Sequence, residues 1–418
     1  MGSGGDEMQR LGALTRLEFT RGWRVLLGAT FGVGLGIAGL LTYTLGLFAT
    51  ELQRDIGLSP AAYGGALLGL NLALAAVMPL VGHLVDRFGP RSIAAVGSLA
   101  LAAGFIALSR VQSVTIYAAA LIAIGLCASL SAPVAHTRAV TAAFDRRRGL
   151  ALGITQVGIG LAAALVPPLV ATQIASGGWR SGFVLLAGLA TAGVVPALLG
   201  LPGKRREQYA GLVPTPQTST SLWPSPLFRL QLLAFTAMAL AFIGIIAHFV
   251  PMLRASGISL PRAGALAGST GLSVIVTRLI VGWLADHVEP AWLGAASCVV
   301  CAAGALALAV GGIQLALPAA LALGCAIGAE ADLIGILTAR NFPLGDYSRA
   351  YSAQYAAFTV AGGVSPLLVG MLAEATDGYR VPLLAAATLL LIPAVLFALL
   401  ATQKRPDQII LDTRNKNS

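Results

Sequence analysis

Along most of this chain, polar residues appear only as punctuation. Apolar stretches follow one another from about residue 24 to residue 401, interrupted by short clusters of charge, proline and glycine. Each stretch reaches the roughly 18 residues that cross a hydrocarbon layer of about 30 Å at about 1.5 Å per residue. No ten-residue alternation of in and out positions is present, and Leu, Ala and Gly dominate, so the pattern predicts helices rather than a barrel. The breaks mark twelve expected helices, at approximately 24–49, 61–85, 92–109, 113–138, 149–173, 180–201, 228–253, 261–286, 291–311, 314–340, 347–374 and 380–401. The expected fold class is therefore an all-α membrane protein, with twelve transmembrane helices in two pseudo-symmetric six-helix bundles.

Composition agrees. Hydrophobic residues make up 57% and charged residues 11% of the 418 positions, against roughly 45–50% and about 25% in soluble domains; the mean hydropathy is +0.83. The net charge of +10 could suggest a nucleic-acid partner or a basic docking surface. With the N-terminus inside, however, most of the 27 Lys and Arg fall on the cytoplasmic side, which is the positive-inside pattern. No nucleic acid is expected, and both termini are expected in the cytoplasm. The first span is too long and too late for a cleaved signal peptide. Cys127, Cys298, Cys301 and Cys325 all lie within expected spans among apolar neighbours. They read as small packing residues, without a disulfide or metal role, and no cofactor is expected.

The stretch after the sixth span, "LPGKRREQYAGLVPTPQTSTSLWPSPLFR", is the least apolar in the interior of the chain. It reads as a cytoplasmic linker, dividing the chain into 1–201, 202–227 and 228–418. The loop between spans 2 and 3 is "GHLVDRFGPR", Gly82 to Arg91. A faded copy, "GWLADHVEPA", lies at Gly282 to Ala291 between spans 8 and 9. Equivalent loops in two halves imply parallel repeats about an axis along the membrane normal. Gly82 would allow close helix approach, Asp86 can accept hydrogen bonds from an Arg or a helix N-terminus, and Gly89-Pro90 turns the chain.

The first of these strings closely resembles the GxLaDrxGrr loop of the major facilitator superfamily, and the twelve spans are similar to that fold over the whole chain. The resemblance implies a gating role for Gly82, Asp86, Arg87, Gly89 and Arg91, with the loop stabilising the outward-facing state. Asp286 would serve in the second copy, which lacks the following bases and is expected to be a looser latch. "DRRRGLALGI", Asp145 to Ile154, reads either as a plain membrane anchor or as a gating salt bridge.

Polar groups inside spans are costly and therefore functional candidates by default. Arg278 on span 8 lies eight residues before Asp286, about 12 Å along the helix. Its charge cannot be shed, so it must face a cavity, an acid or an anion. "VTRLIVGWLADH", Val276 to His287, resembles the span-8 segment of monocarboxylate porters and bacterial oxalate/formate-type carriers. That resemblance implies that Arg278 holds a substrate carboxylate; a structural ion pair with Glu330 or Asp332 is the alternative. Where the monocarboxylate porters place an acid one turn earlier, this chain has Val274. Where oxalate carriers have a span-11 lysine, it reads Arg349 to Phe358 without one, so oxalate is not expected.

Glu330 and Asp332 on span 10 are the deep acids. Two positions apart, they diverge by about 200°, so one is expected to carry the coupling proton and the other to pack against a neighbour. His136 and Arg138 on span 4 form a second polar cluster, either for a second carboxylate or for bridging and capping at the cytoplasmic end. Tyr43, Asn71, Gln156, Tyr351, Gln354 and Tyr355 could shape a pocket, although helix–helix hydrogen bonding is an equal reading. Gly324, Gly328 and Gly335 suit close helix contacts. His248 lies near the outer end of span 7 and is expected to be solvated. No nucleophile–base pair, metal cluster or phosphate loop appears, so an enzyme is not expected. The expected function is proton symport of an organic carboxylate, most simply a monocarboxylate, by a functional monomer in a bacterial inner (plasma) membrane. Export or antiport of another small organic molecule or a dicarboxylate on the same fold is the alternative.

Overall fold

The computed structural model describes residues 3–144, 148–203, 223–342 and 344–403. Asp145 to Arg147, most of the expected linker and the C-terminal tail lie outside the described residues. The regular elements are helices: α1 Ser3–Gly34, α2 Ile37–Ile56, α3 Pro60–Phe88, α4 Pro90–Leu108, α5 Val114–Cys127, α6 Pro133–Ala143, α7 Arg148–Ala192, α8 Val194–Gly200, α9 Pro226–Ala255, α10 Leu260–Leu284, α11 Pro290–Gly311, α12 Ala316–Asn341, α13 Leu344–Ala375, α14 Arg380–Leu389 and α15 Leu391–Thr402.

Local sequence explains many of the boundaries. Proline opens α4, α6, α9, α10 and α11, where its missing N–H costs nothing and its φ already suits a helix. Ser113 and Ser225 accept from the amides of Ile116 and Phe228 at 3.3 Å, the usual way to satisfy an exposed first turn. Gly57 ends α2 at φ 73°, and Gly89 joins α3 to α4 at φ 83°. Both are positions that residues with a Cβ adopt only with strain.

Ten stretches are long and apolar enough to cross a membrane. The two longest, Gly149–Gly200 and Pro290–Asn341, each run for 52 residues, about 78 Å if straight and more than twice a bilayer core. Both are broken. Gly178 takes φ 79° and ψ 167° inside α7, and a short 3-10 turn, Gly312–Leu315, separates α11 from α12 with Gly312 at φ 55°. Each therefore accounts for two crossings, which gives the expected twelve.

The described chain forms two compact units, Met1–Gly57 with Leu72–Val213, and Leu58–Asn71 with Pro214–Ser418. In the first unit, α1 lies against α7 and α8 through bare backbone. A methyl group on Gly28 would sit 2.6 Å from the Gly200 Cα, and one on Gly34 would sit 2.6 Å from the Gly158 carbonyl. Phe48 stacks on Phe183 at 3.8 Å. Two expected spans are not continuous: the first breaks at Leu35–Gly36 between α1 and α2, and the fourth at the 3-10 turn Ala128–Ser131 between α5 and α6. Glycines flank the first break, and Pro133, which cannot donate back to the preceding turn, follows the second.

The second unit claims the first turns of α3. There Ala61 donates its amide to Glu374 Oε1 at 2.7 Å, and the Tyr63 hydroxyl donates to the Ala247 carbonyl at 3.2 Å. His248 is not solvated as expected. It is fully buried, held by the Pro366 carbonyl at 3.0 Å and the Tyr379 hydroxyl at 3.2 Å. The residues of α3, α13 and the turn before α14 cover the end of α9 that its sequence position left open.

Candidate functional site

In the second unit, α10 and α12 touch along two glycines. A methyl on Gly328 would meet the Val274 carbonyl at 2.8 Å and Thr277 Cβ at 2.9 Å; one on Gly324 would meet the Thr270 carbonyl and Ser273. Ser273 Oγ donates to the Leu321 carbonyl at 2.6 Å, bracing the same contact. Small residues at such crossings let two backbones approach closely. The seam puts Arg278, one residue past Thr277, beside Glu330, two past Gly328.

Arg278 interacts electrostatically with both Glu330 and Asp332. A charge acts through space on both flanks of a helix, even though two side chains 200° apart cannot both touch it. Neither acid forms an ion pair with it among the described residues. Instead, Arg278 Nε and Nη1 and Glu330 Oε2 are buried without any hydrogen-bond partner. Tyr355 on α13 interacts with both Arg278 and Glu330, and its ring stacks on Tyr351 at 5.9 Å with 7° between planes. The two tyrosines, one turn apart on α13, thus share a face that borders the charged group.

Other candidates are placed differently. Gln354 is fully buried and its amide is committed to Gln231 Nε2 at 2.9 Å and Thr338 Oγ1 at 3.3 Å, in a network that Asn341 extends. Sequence reading missed Gln231, Thr338 and Asn341; a glutamine inside the apolar run of α9 was the available signal. Asn71 Nδ2 bonds its own helix at the Leu67 carbonyl, 2.9 Å away. Tyr43, half-buried on α2, has interactions within the described chain. Gln156 Oε1 is buried without a partner.

His136 and Arg138 do not form one cluster, because side chains two apart on α6 point to opposite sides. His136 is 1% exposed. Arg138 is exposed, with Nε 3.1 Å from Asp86 Oδ1, so the first loop's acid does take an arginine. Gly82 does not serve close approach: a methyl there would meet nothing within 4 Å. Its half-buried neighbourhood near the end of α3 has room to spare. Arg87 and Arg91 are exposed, and Arg91 Nε donates to the Leu201 carbonyl at 2.8 Å. In the second copy Asp286 is exposed, and Glu289, three residues on, pairs with Arg340 on α12 at 3.1 Å. All four cysteines are free thiols.

Comparison with known proteins fits this architecture. The Major Facilitator Superfamily profile matches residues 30–331, more than half of the sequence, and the chain belongs to that superfamily of membrane transporters rather than to an enzyme family. Its relatives are diverse. It is 28% identical over 272 residues to monocarboxylate transporter 13 of Bos taurus, spanning 64% of this chain and 62% of that protein, so less than two thirds of that relative is matched. It is 30% identical over 393 residues, 88% of this chain and 89% of the relative, to an MFS-type efflux pump of Mycolicibacterium smegmatis. Among solved structures, a bacterial homologue of the human lysosomal transporter Spinster, inward-facing and unoccupied, superposes with a TM-score of 0.73 at 16% identity, covering 90% of this chain and 96% of the other.

Proposed function

We propose that this transporter moves an organic carboxylate, most simply a monocarboxylate, together with protons, and that Arg278 receives the carboxylate. The observation that carries this reading is the pair of buried, unpartnered donors on Arg278. Holding a charged side chain within a bilayer costs about 2.5–3.5 kcal/mol even on the mildest scale. A merely structural arginine would be expected to recover that cost through an ion pair, yet none is formed among the described residues. A guanidinium with free donors matches a carboxylate in charge and in hydrogen-bonding capacity.

Glu330 and Asp332 supply the proton sites. With one of them protonated, the field holding Arg278 weakens, and its donors can take the incoming anion. The proton and the carboxylate bring opposite charges, so the loaded site keeps the net charge of the empty one and loading adds no charge to the low-dielectric interior. Tyr355, with Tyr351 stacked behind it, borders the bound group. The gating latches lie at Asp86–Arg138 in the first unit and in the second loop copy. A bacterial plasma membrane, cytoplasmic termini and a functional monomer complete the proposal.

The test is uptake into proteoliposomes. Labelled mono- and dicarboxylates should accumulate under an inward proton gradient, and Arg278→Gln should abolish this. A second reading, export, is favoured by the long match to the mycobacterial efflux pump. Accumulation of a non-carboxylate driven by an opposite gradient, unaffected by Arg278→Gln, would establish it and end the carboxylate reading.

A further inference from the structure

A carboxylate is only one end of a substrate, and the surface beside Arg278 bears on the other end. Helix α13 carries aromatic rings at Tyr351, Tyr355 and Phe358, and spacings of four and three residues put all three on one face. The rings of Tyr351 and Tyr355 lie 5.9 Å apart with 7° between planes, and those of Tyr355 and Phe358 lie 6.5 Å apart with 19°. They form an offset, nearly parallel row.

Ring pairs that fill the interior of the second unit are arranged otherwise. Phe228 meets Phe342 at 79°, Phe235 meets Phe397 at 76° and Tyr63 meets His248 at 89°. In such edge-to-face pairs the rim of one ring closes the face of the other, whereas an offset parallel row leaves part of each face uncovered.

The row is open at its middle. Phe358 is 7% exposed and Tyr351 is half-buried, but Tyr355 keeps 45% of its surface accessible. Its interaction with both Arg278 on α10 and Glu330 on α12 turns it toward the charged group rather than toward lipid. Between the rings α13 carries Ala353, Ala356 and Ala357, whose methyl groups leave room alongside. Gln354, the amide next to Tyr355, is committed to Gln231 and Thr338, and Val274, one turn before Arg278, is fully buried and apolar. This face of α13 therefore gives a ligand ring surface and methyl groups more than hydrogen bonds.

We propose, resting on Arg278 as the carboxylate site, that the transported acid is an aryl carboxylate, its carboxylate on Arg278 and its ring laid on the open surface of Tyr355. An aromatic acid suits both groups at once. Its carboxylate lies close to the plane of its ring, so one rigid plate meets the guanidinium at its edge and the tyrosine at its face. Little conformational freedom is lost when such a plate binds. A short aliphatic acid would leave the ring of Tyr355 uncovered, and a saturated ring is puckered and has no π face to match it.

Calorimetric titration of the full-length protein in nanodiscs with benzoate, cyclohexanecarboxylate and acetate, at one fixed pH, tests this. Benzoate should bind about tenfold more tightly than cyclohexanecarboxylate, the size of a good ring–ring contact, and acetate should bind most weakly. Tyr355→Leu should bring benzoate down to the level of the saturated acid. Tyr355→Phe, which keeps the ring, should preserve the preference, and Arg278→Gln should abolish binding of all three acids. Equal affinity for benzoate and cyclohexanecarboxylate in the wild type overturns the aryl inference while carboxylate binding through Arg278 stands. So does a preference that survives Tyr355→Leu, or one that is lost in Tyr355→Phe. Benzoate binding undiminished in Arg278→Gln, or no binding of any of the three acids, overturns the carboxylate reading and the aryl inference with it.

Discussion

Arg340 Nη2 lies 3.1 Å from Glu289 Oε2, and each side chain is 28% exposed. The matching pair of the first half, Arg138 and Asp86, spans the same 3.1 Å but is 47% and 63% exposed. The half with the faded motif therefore has the better shielded pair, and its acid is Glu289, at the cap of α11, rather than the motif's Asp286. Salt screens an exposed pair more than a half-buried one. Glu289→Gln should lower stability by about 0.5–1 kcal/mol, Asp86→Asn by less, and Asp286→Asn not measurably. Thermal melts in detergent at low and high salt would show this, and an equal loss for Asp286→Asn would contradict it.

Replacing Arg278 with lysine keeps the charge but loses the planar pair of donors. Under the carboxylate proposal, uptake should fall about tenfold to a hundredfold, the worth of one charge-assisted bond. Glu330→Gln should retain substrate exchange while losing its dependence on the proton gradient. Counterflow measured beside gradient-driven uptake distinguishes the two effects, and undiminished uptake by the lysine variant would remove the bidentate contact.

The glycine seam between α10 and α12 offers a contrast with an open site. Gly328→Ala must push the helices apart at the Val274 carbonyl and should cost about 1–3 kcal/mol, with the geometry of Arg278 and Glu330 disturbed in proportion. Gly282→Ala meets nothing within 4 Å and should be neutral or stabilising by up to about 1 kcal/mol. Paired melts and transport assays on the two variants should diverge in this order.

Tyr379, in the turn before α14, donates to or accepts from His248 Nδ1 at 3.2 Å. Burial, then the nearby Glu374 carboxylate, push its hydroxyl up from 10.0 to about 12. A raised folded-state value means that the folded protein holds this proton more tightly than the unfolded chain does. The contribution is therefore complete below pH 10 and is lost as pH rises toward about 12. Tyr379→Phe should cost about 1 kcal/mol at neutral pH and flatten the alkaline fall in stability, which melting curves between pH 9 and pH 12 would reveal.

Much of the architecture was legible in one dimension. Twelve crossings follow from where charge, proline and glycine interrupt apolar runs, since no other arrangement satisfies their backbones in lipid. The loop at Gly82 to Arg91, with its copy, pointed to the superfamily, and Arg278, Glu330, Tyr351 and Tyr355 stood out because polar groups are rare in such helices. The seam through Gly324 and Gly328 could be named in advance, though not its partner helix.

Sequence by itself determined which residues are out of place in a membrane. Only the tertiary structure decided which of them find company: Gln354 and His248 do, the donors of Arg278 and His136 Nε2 do not. It also put the shielded pair at Glu289 rather than Asp286 and broke two spans where they touch. The physical reason is that hydrophobic length depends on neighbours along the chain, whereas satisfaction of a hydrogen bond depends on atoms that folding brings in from a hundred residues away.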